Sequence, residues 1–175
     1  MNYGLIYNCD TANGPGLRVS LFVSGCTHHC PGCFNEQTWD FNYGQPYTGQ
    51  TQTDILEMLA VPFIQGLTIL GGEPMEPQNQ PEVLALLRAV RAKYPEKDIW
   101  IYSGYTFEEL QNPKARCYTT NTKAILNLID VLVDGRFIMA QKDVTLAFRG
   151  SRNQRVLDVK ASMTANEPHW MECYQ

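Results

Sequence analysis

Three thiols fall within one short loop, Cys26-Thr27-His28-His29-Cys30-Pro31-Gly32-Cys33. Disulfide frameworks spread their cysteines to staple distant segments, whereas thiols packed this closely read as ligands of one metal centre. Structural zinc takes four ligands and catalytic zinc takes three plus water. His28 or His29 would have to complete a zinc site, and residues so close in sequence surround a single ion poorly. A [4Fe–4S] cluster suits the spacing better, with Cys26, Cys30 and Cys33 each holding an iron and the fourth iron left open. Ferredoxin-type carriers fill all four corners with cysteine, so an open iron is a place for chemistry rather than for electron storage alone. The chain has six cysteines. Cys9, Cys117 and Cys173 are scattered singly and read as small buried or idle thiols, unless the fold carries one of them to the fourth corner. His28 and His29 are expected to face solvent or bond backbone, and Pro31-Gly32 shapes the turn between the last two thiols.

Those thiols need a scaffold, and the apolar pattern supplies one. Residues 17–24 read as a strand running straight into Gly25 and the cysteine loop. Residues 42–53 read as loop, and Thr53 to Phe63 as a helix. Leu67–Leu70 is a short apolar strand that stops at Gly71-Gly72. Pro81 suits a first helical turn, with Asn79 as its cap and Glu82 three residues on. Val83, Leu84, Leu86, Leu87 and Val90 give that helix one apolar face. Ile99–Tyr102 is the next strand, and Thr106-Phe107-Glu108-Glu109 reads as a capping box. Ala124–Ile129 reads as helix and Val131–Val133 as strand. Strand and helix alternate throughout, which predicts an α/β fold with a mostly parallel sheet. The strands end in polar or glycine-rich turns: Ser24-Gly25, Gly71-Gly72-Glu73-Pro74, Ser103-Gly104 and Asp134-Gly135. Ligands of such sheets bind at the carboxyl ends of the strands, so these turns are expected to converge with the cysteine loop on one edge.

Composition narrows the partners. The chain has 175 residues, 44% of them hydrophobic, enough for one buried core and a single domain over 1–175. Fourteen Lys plus Arg stand against eighteen Asp plus Glu, a formal charge of −4, so no basic excess awaits a nucleic acid. Charged residues are only 18%, a weak pointer to a surface that a partner covers. No apolar run reaches the roughly 20 residues of a spanning helix. Met1-Asn2-Tyr3-Gly4 lacks a signal peptide's basic and apolar regions. A cytoplasmic protein is expected, away from nucleic acid and membrane.

The motif Cys26-x-x-x-Cys30-x-x-Cys33 resembles the signature of radical S-adenosylmethionine enzymes. Gly71-Gly72-Glu73-Pro74 is similar to that family's second motif, which holds the amino group of the methionine part. Many members carry an aromatic residue before the last cysteine, whereas this chain has Gly32, a variant that resembles a subset of the family. Gly14-Pro15-Gly16-Leu17-Arg18 is similar to glycyl-radical-enzyme activases. Cys30-Pro-Gly-Cys33-Phe-Asn, Gly71 through Asn79, Tyr102-Ser-Gly-Tyr105, Asp130 through Phe137 and Arg149-Gly-Ser-Arg-Asn-Gln154 resemble the family that activates anaerobic ribonucleoside-triphosphate reductase. Residues 161–175 fall outside the resemblance and are expected to form a flexible tail.

The resemblance implies a compact, partial (βα) barrel and a radical-generating oxidoreductase. Its cofactors would be a [4Fe–4S] cluster and S-adenosylmethionine. It would cleave S-adenosylmethionine reductively and place a glycyl radical on the reductase, with a flavodoxin or ferredoxin as electron donor. Gly71, Gly72 and Glu73 would bind S-adenosylmethionine, and Gly72 would need a backbone path that a Cβ obstructs. Ser103 and Asp134 would meet its methionine or ribose groups, with helix capping or a turn as the alternative. Asp134 is also a candidate beside a monovalent cation, as in related activases. Phe34, adjacent to Cys33, is the aromatic expected to touch the site, while Trp39 and Phe41 are expected in the core. Arg149, Ser151 and Asn153 belong to a motif without a role legible from sequence, and a salt bridge or loop-shaping part competes for Arg149. Two further classes stay open: a radical enzyme of a small molecule, such as a deazaguanine synthase, and a non-catalytic iron–sulfur or zinc module.

Overall fold

The computed structural model describes residues 1–174. A hairpin of β1 (Asn2–Asp10) and β2 (Leu17–Val23) comes first. There follow β3 (Gln45–Pro46), α1 (Gly49–Leu59), β4 (Ile64–Gly71), α2 (Gln80–Lys93), β5 (Asp98–Ser103) and α3 (Phe107–Gln111). The chain continues with α4 (Thr122–Leu126), β6 (Val131–Asp134), β7 (Arg155–Asp158) and α5 (Val159–Ala165). One seven-stranded sheet has the order β3-β1-β2-β4-β5-β6-β7. Its centre, β2-β4-β5-β6, is parallel, and β1, β3 and β7 extend it antiparallel. The expected α/β architecture is present as an open sheet, with β3 at one end and β7 at the other.

The pleat sorts the two faces. Along β2, Val19, Leu21 and Val23 enter the main core, while Arg18, Ser20 and Phe22 point the other way. The main core also takes Leu67 and Ile69 from β4, Ile99 and Ile101 from β5, and Leu132 from β6. Every helix reaches that same core: Ile55 and Leu59, Val83 and Leu87, Phe107 and Leu110, Ile125, and Val159. All helices therefore cover one face. Each fully buried Leu or Ile there contributes about 1.5–3 kcal/mol. The helix-free face carries a smaller cluster of Trp100, Val131, Val133 and Val156, against which Phe148, Met171 and Tyr174 pack.

Several elements differ from the sequence reading. β1 lies where no strand was predicted, because Asn2, Gly4 and Asn8 dilute its β-propensity. α1 begins at Gly49, inside the predicted loop, since Thr48 and Thr51 close a capping box ahead of a polar first turn. The Thr106–Glu109 capping box is present as expected. Asn79 does not cap α2; its amide is used elsewhere. The segment expected as a flexible tail is packed: Asp158 N–H donates to His169 O at 2.9 Å and Met171 N–H to Val156 O at 2.9 Å. Gln175 lies outside the described residues.

Candidate functional site

β2 ends at Val23 and hands the chain to the cysteine loop. That loop is held at its root by Gly25 N–H on Thr38 O at 2.8 Å and Cys26 N–H on Trp39 O at 3.1 Å. Cys26, Cys30, Cys33, Gly71, Gly72, Glu73 and Ser103 all line one cavity of about 150 Å³, together with Tyr102, Gly104 and Gly135. The carboxyl ends of β2, β4, β5 and β6 thus converge with the cysteine loop, as the strand-end turns predicted. The cavity is below the roughly 300–1,000 Å³ of ordinary ligand pockets, and it adjoins a larger groove with which it shares Asn35 and Leu70.

Each thiol receives backbone N–H groups. Asn35 N–H donates to Cys33 Sγ at 3.4 Å. The N–H of Phe137 favours the Cys30 thiolate, and those of His28 and His29 favour that of Cys26. Burial nevertheless pushes the Cys26 thiol up to about 12, with the Glu73 charge adding to it, and raises Cys30 as well. A metal must therefore displace protons here, and its own charge supplies the compensation. Among the described residues, no group of three or more His, Cys, Asp or Glu converges on a point that one ion could occupy. The three thiols instead face one shared cavity, the arrangement that a multi-iron cluster asks of its ligands. Cys9 and Cys173 are exposed, Cys117 is buried, and none of the three lines this cavity. The donor set fits a [4Fe–4S] cluster with three protein thiolates.

Glu73 is 1% exposed and fully bonded. It accepts from Ser103 Oγ at 2.8 Å, Gly104 N at 2.6 Å and Met75 N at 2.8 Å, and lies 3.1 Å from His28 Nε2. Its carboxylate ties three segments together: its own turn, the end of β5 and the cysteine loop. Asn79 reinforces this, donating to Ser24 O at 3.0 Å and Glu73 O at 2.9 Å. The two glycines have no room for side chains. A Cβ on Gly72 would lie 2.8 Å from the backbone oxygens of Gly25 and Thr38, and Gly71 holds a φ of +105° against the backbone of Phe22.

Two expected residues lie elsewhere. The Asp134 carboxylate does not line the cavity; its neighbour Gly135 does. Asp134 is fully buried, accepts Phe107 N–H at 2.7 Å, and binds Arg155 through Nε at 2.8 Å and Nη2 at 2.5 Å. Burial pushes its carboxyl up, against the pull of Arg155. The capping alternative describes it, since it serves α3 and β7. Phe34 is 96% exposed and faces the adjoining groove, because Cys33 turns the chain outward. Trp39, expected in the core, lines the cavity, where it stacks on His29 at 4.6 Å between ring centres.

Three contributors were not assigned to the site from sequence. His28, expected to face solvent or bond backbone, has a side chain 4% exposed beside Glu73, with its ring 4.3 Å from that of Tyr105. Tyr102 lines the cavity, its hydroxyl without a hydrogen-bond partner among the described residues. Gln154 lines it too, donating to Gly135 O at 3.0 Å. The unassigned 149–154 motif turns out to shape this wall: Ser151 Oγ accepts from Ile138 N–H at 3.2 Å and Asn153 donates to Arg136 O at 2.8 Å. Arg149 bonds the Tyr174 carbonyl of the C-terminal segment and does not line the cavity.

A site of three thiols in a family-sized α/β domain has known relatives. Residues 12–157 match the 4Fe-4S single cluster domain family, so the chain is an iron–sulfur domain protein. The anaerobic ribonucleoside-triphosphate reductase-activating protein of Escherichia coli (strain K12) is 45% identical over 158 residues, 89% of this chain and 97% of that protein. The proteins of the same name from Enterobacteria phage T4 and Vibrio cholerae serotype O1 are 43% and 45% identical over 156 residues, covering 89% and 88% of this chain. The chain belongs to the family of anaerobic ribonucleoside-triphosphate reductase-activating proteins. No helix among the described residues is long and apolar enough to cross a membrane.

Proposed function

We propose that this chain is a radical S-adenosylmethionine activase that places a glycyl radical on anaerobic ribonucleoside-triphosphate reductase in the cytoplasm, with a flavodoxin- or ferredoxin-type protein as reductant. The observation that carries it is the convergence of three N–H-bonded thiols with the Gly71-Gly72-Glu73 turn on one cavity. Cys26, Cys30 and Cys33 would hold the [4Fe–4S] cluster. Gly71 and Gly72 would let S-adenosylmethionine approach the backbone closely, and Ser103, Tyr102 and Gly135 would border it. When bound, the reduced cluster and S-adenosylmethionine supply a 5′-deoxyadenosyl radical able to take hydrogen from a glycine α-carbon.

The chain's own residues do the positioning. Glu73, in four polar contacts, fixes the cysteine loop against the end of β5. The sheet face opposite the α-helices would be the inner wall of a partial barrel, with its open side at the exposed Leu5 and Tyr7 of β1. An exposed rim, with Phe34 outermost, favours a protein substrate over a small molecule. The test is anaerobic mixing with the reductase and a reductant, followed by EPR. A glycyl radical is expected on the reductase, with deuterium from its target glycine appearing in 5′-deoxyadenosine. Cleavage without any deuterium transfer would make the small-molecule enzyme the leading reading.

A further inference from the structure

We propose that the free edge of β1 and the groove beside it dock an extended segment of the reductase and lead it to the cysteine cavity; this rests on the activase reading above. β3 pairs only with Asn2 and Tyr3. Beyond them, no strand among the described residues pairs with the outer edge of β1, and Leu5, Tyr7, Asn8 and Cys9 are exposed. Such an edge offers unpaired N–H and C=O groups to an added strand. Specificity would come from the groove. Leu5 and Tyr7 stand two residues apart on one face, 43% and 48% exposed. With Phe22, Phe34 and Tyr43 they wall a space of about 760 Å³.

The occupant follows from continuity. Asn35 and Leu70 line both this groove and the cysteine cavity. β3 closes the outer edge at Asn2 and Tyr3, the end of β1 nearest the cysteine loop, so a segment laid on residues 5–9 would leave the edge there and follow the groove past Leu70 and Asn35 toward the cavity, where an activator of another protein must bring that protein's backbone. A second copy of this chain in the same place would close the mouth instead. Asp10 is the only charged residue of the groove wall, and Ser20, Asn13 and Ala12 N–H already bond it. The segment is accordingly uncharged, with apolar side chains at alternate positions for Leu5 and Tyr7.

Hydrogen exchange of the cluster-loaded protein, with and without the reductase, tests this directly. Amides of residues 4–10 are expected to gain protection on mixing. Leu5→Lys and Tyr7→Lys should weaken reductase binding by about tenfold or more, while iron content and uncoupled cleavage of S-adenosylmethionine stay unchanged. If either variant folds poorly, exchange on the unaltered protein still decides. Radical formation without protection of residues 4–10 overturns this inference and leaves the activase reading standing. Protection without radical formation keeps the docking surface and overturns the activase chemistry. Protection that grows with the chain's own concentration, in the absence of reductase, identifies a second copy as occupant and overturns the proposal.

Discussion

Glu73 and Asp134 hold comparable places in the sheet and do different work. Both sit at the carboxyl end of a parallel strand, and they are 1% and 0% exposed. Glu73 lies two residues past the end of β4, where the chain has left the ladder, and neutral donors plus one imidazole surround it. Asp134 is the last residue of β6, still paired with Arg155 of β7, and that guanidinium neutralises it. A buried carboxylate with a fixed cation anchors structure. One bonded by donors from three loops positions those loops. Reach beyond the ladder, more than residue type, separates the two ends.

The sharpest break between them concerns metal. Anaerobically reconstituted protein is expected to hold about four irons per chain. Cys26→Ala, Cys30→Ala and Cys33→Ala should each bring iron close to zero, while Asp134→Asn, Cys117→Ser and Cys173→Ser retain it. Iron and sulfide analysis decides, and full retention in Cys30→Ala would remove the cluster assignment.

Next in size is Gly72→Val at the Glu73 end. From sequence alone, this change is expected to keep iron and lose S-adenosylmethionine. The structure alters that expectation, because the new Cβ would press at 2.8 Å on backbone oxygens of Gly25 and Thr38, which hold the cysteine loop. Overpacking against backbone costs about 1–3 kcal/mol, and both iron loading and cofactor affinity should fall. Calorimetry with S-adenosylmethionine beside iron analysis separates the outcomes; unchanged iron would mean that the loop gives way freely.

The Asp134 end is expected to show in stability rather than in chemistry. Asp134→Asn leaves Arg155 facing one fewer charge in a buried setting. Arg155 keeps Glu108, so the loss should be about 2–3 kcal/mol, below that of a fully orphaned buried ion. For a chain of this size that lowers Tm by roughly 5–10 °C. Thermal unfolding of the metal-free chain measures it, and a loss of S-adenosylmethionine binding at unchanged Tm would return Asp134 to the cofactor site.

This contrast also marks what the sequence made legible. Thiol spacing and strand-end turns placed Cys26, Cys30, Cys33, Gly71, Gly72, Glu73 and Ser103 together, because spacing within a loop and the stop of an apolar run are local facts. Asp134 was expected beside the cofactor by the same logic, with capping as the alternative; its partner Arg155 was not legible, because it belongs to β7, a four-residue strand too short to announce itself. His28 was missed for a related reason: its burial depends on Glu73, 45 residues away. β1 escaped because a hairpin strand that exposes four of its nine residues and fully buries none keeps little apolar period.

The smallest expected effect probes Arg155 from its other side. Glu108 accepts from Arg155 Nη1 at 2.9 Å and Nη2 at 2.7 Å, and that pairing lowers its carboxyl from 4.5 to about 2. A depressed folded value means stabilisation that is complete above the ordinary carboxylate range and lost as pH falls toward the folded value. The Glu108 side chain is 55% exposed, so water screens the pair, and Glu108→Gln should cost only about 0.5–1 kcal/mol at neutral pH. The gap between the unaltered chain and the variant should shrink as pH drops below 4.5 and vanish near 2. Denaturant titrations of both metal-free chains at neutral pH, 4 and 3 read it out. A gap that stays constant through that window would place the stabilisation in packing of the Glu108 stem, and would leave Asp134 as the sole electrostatic anchor of Arg155.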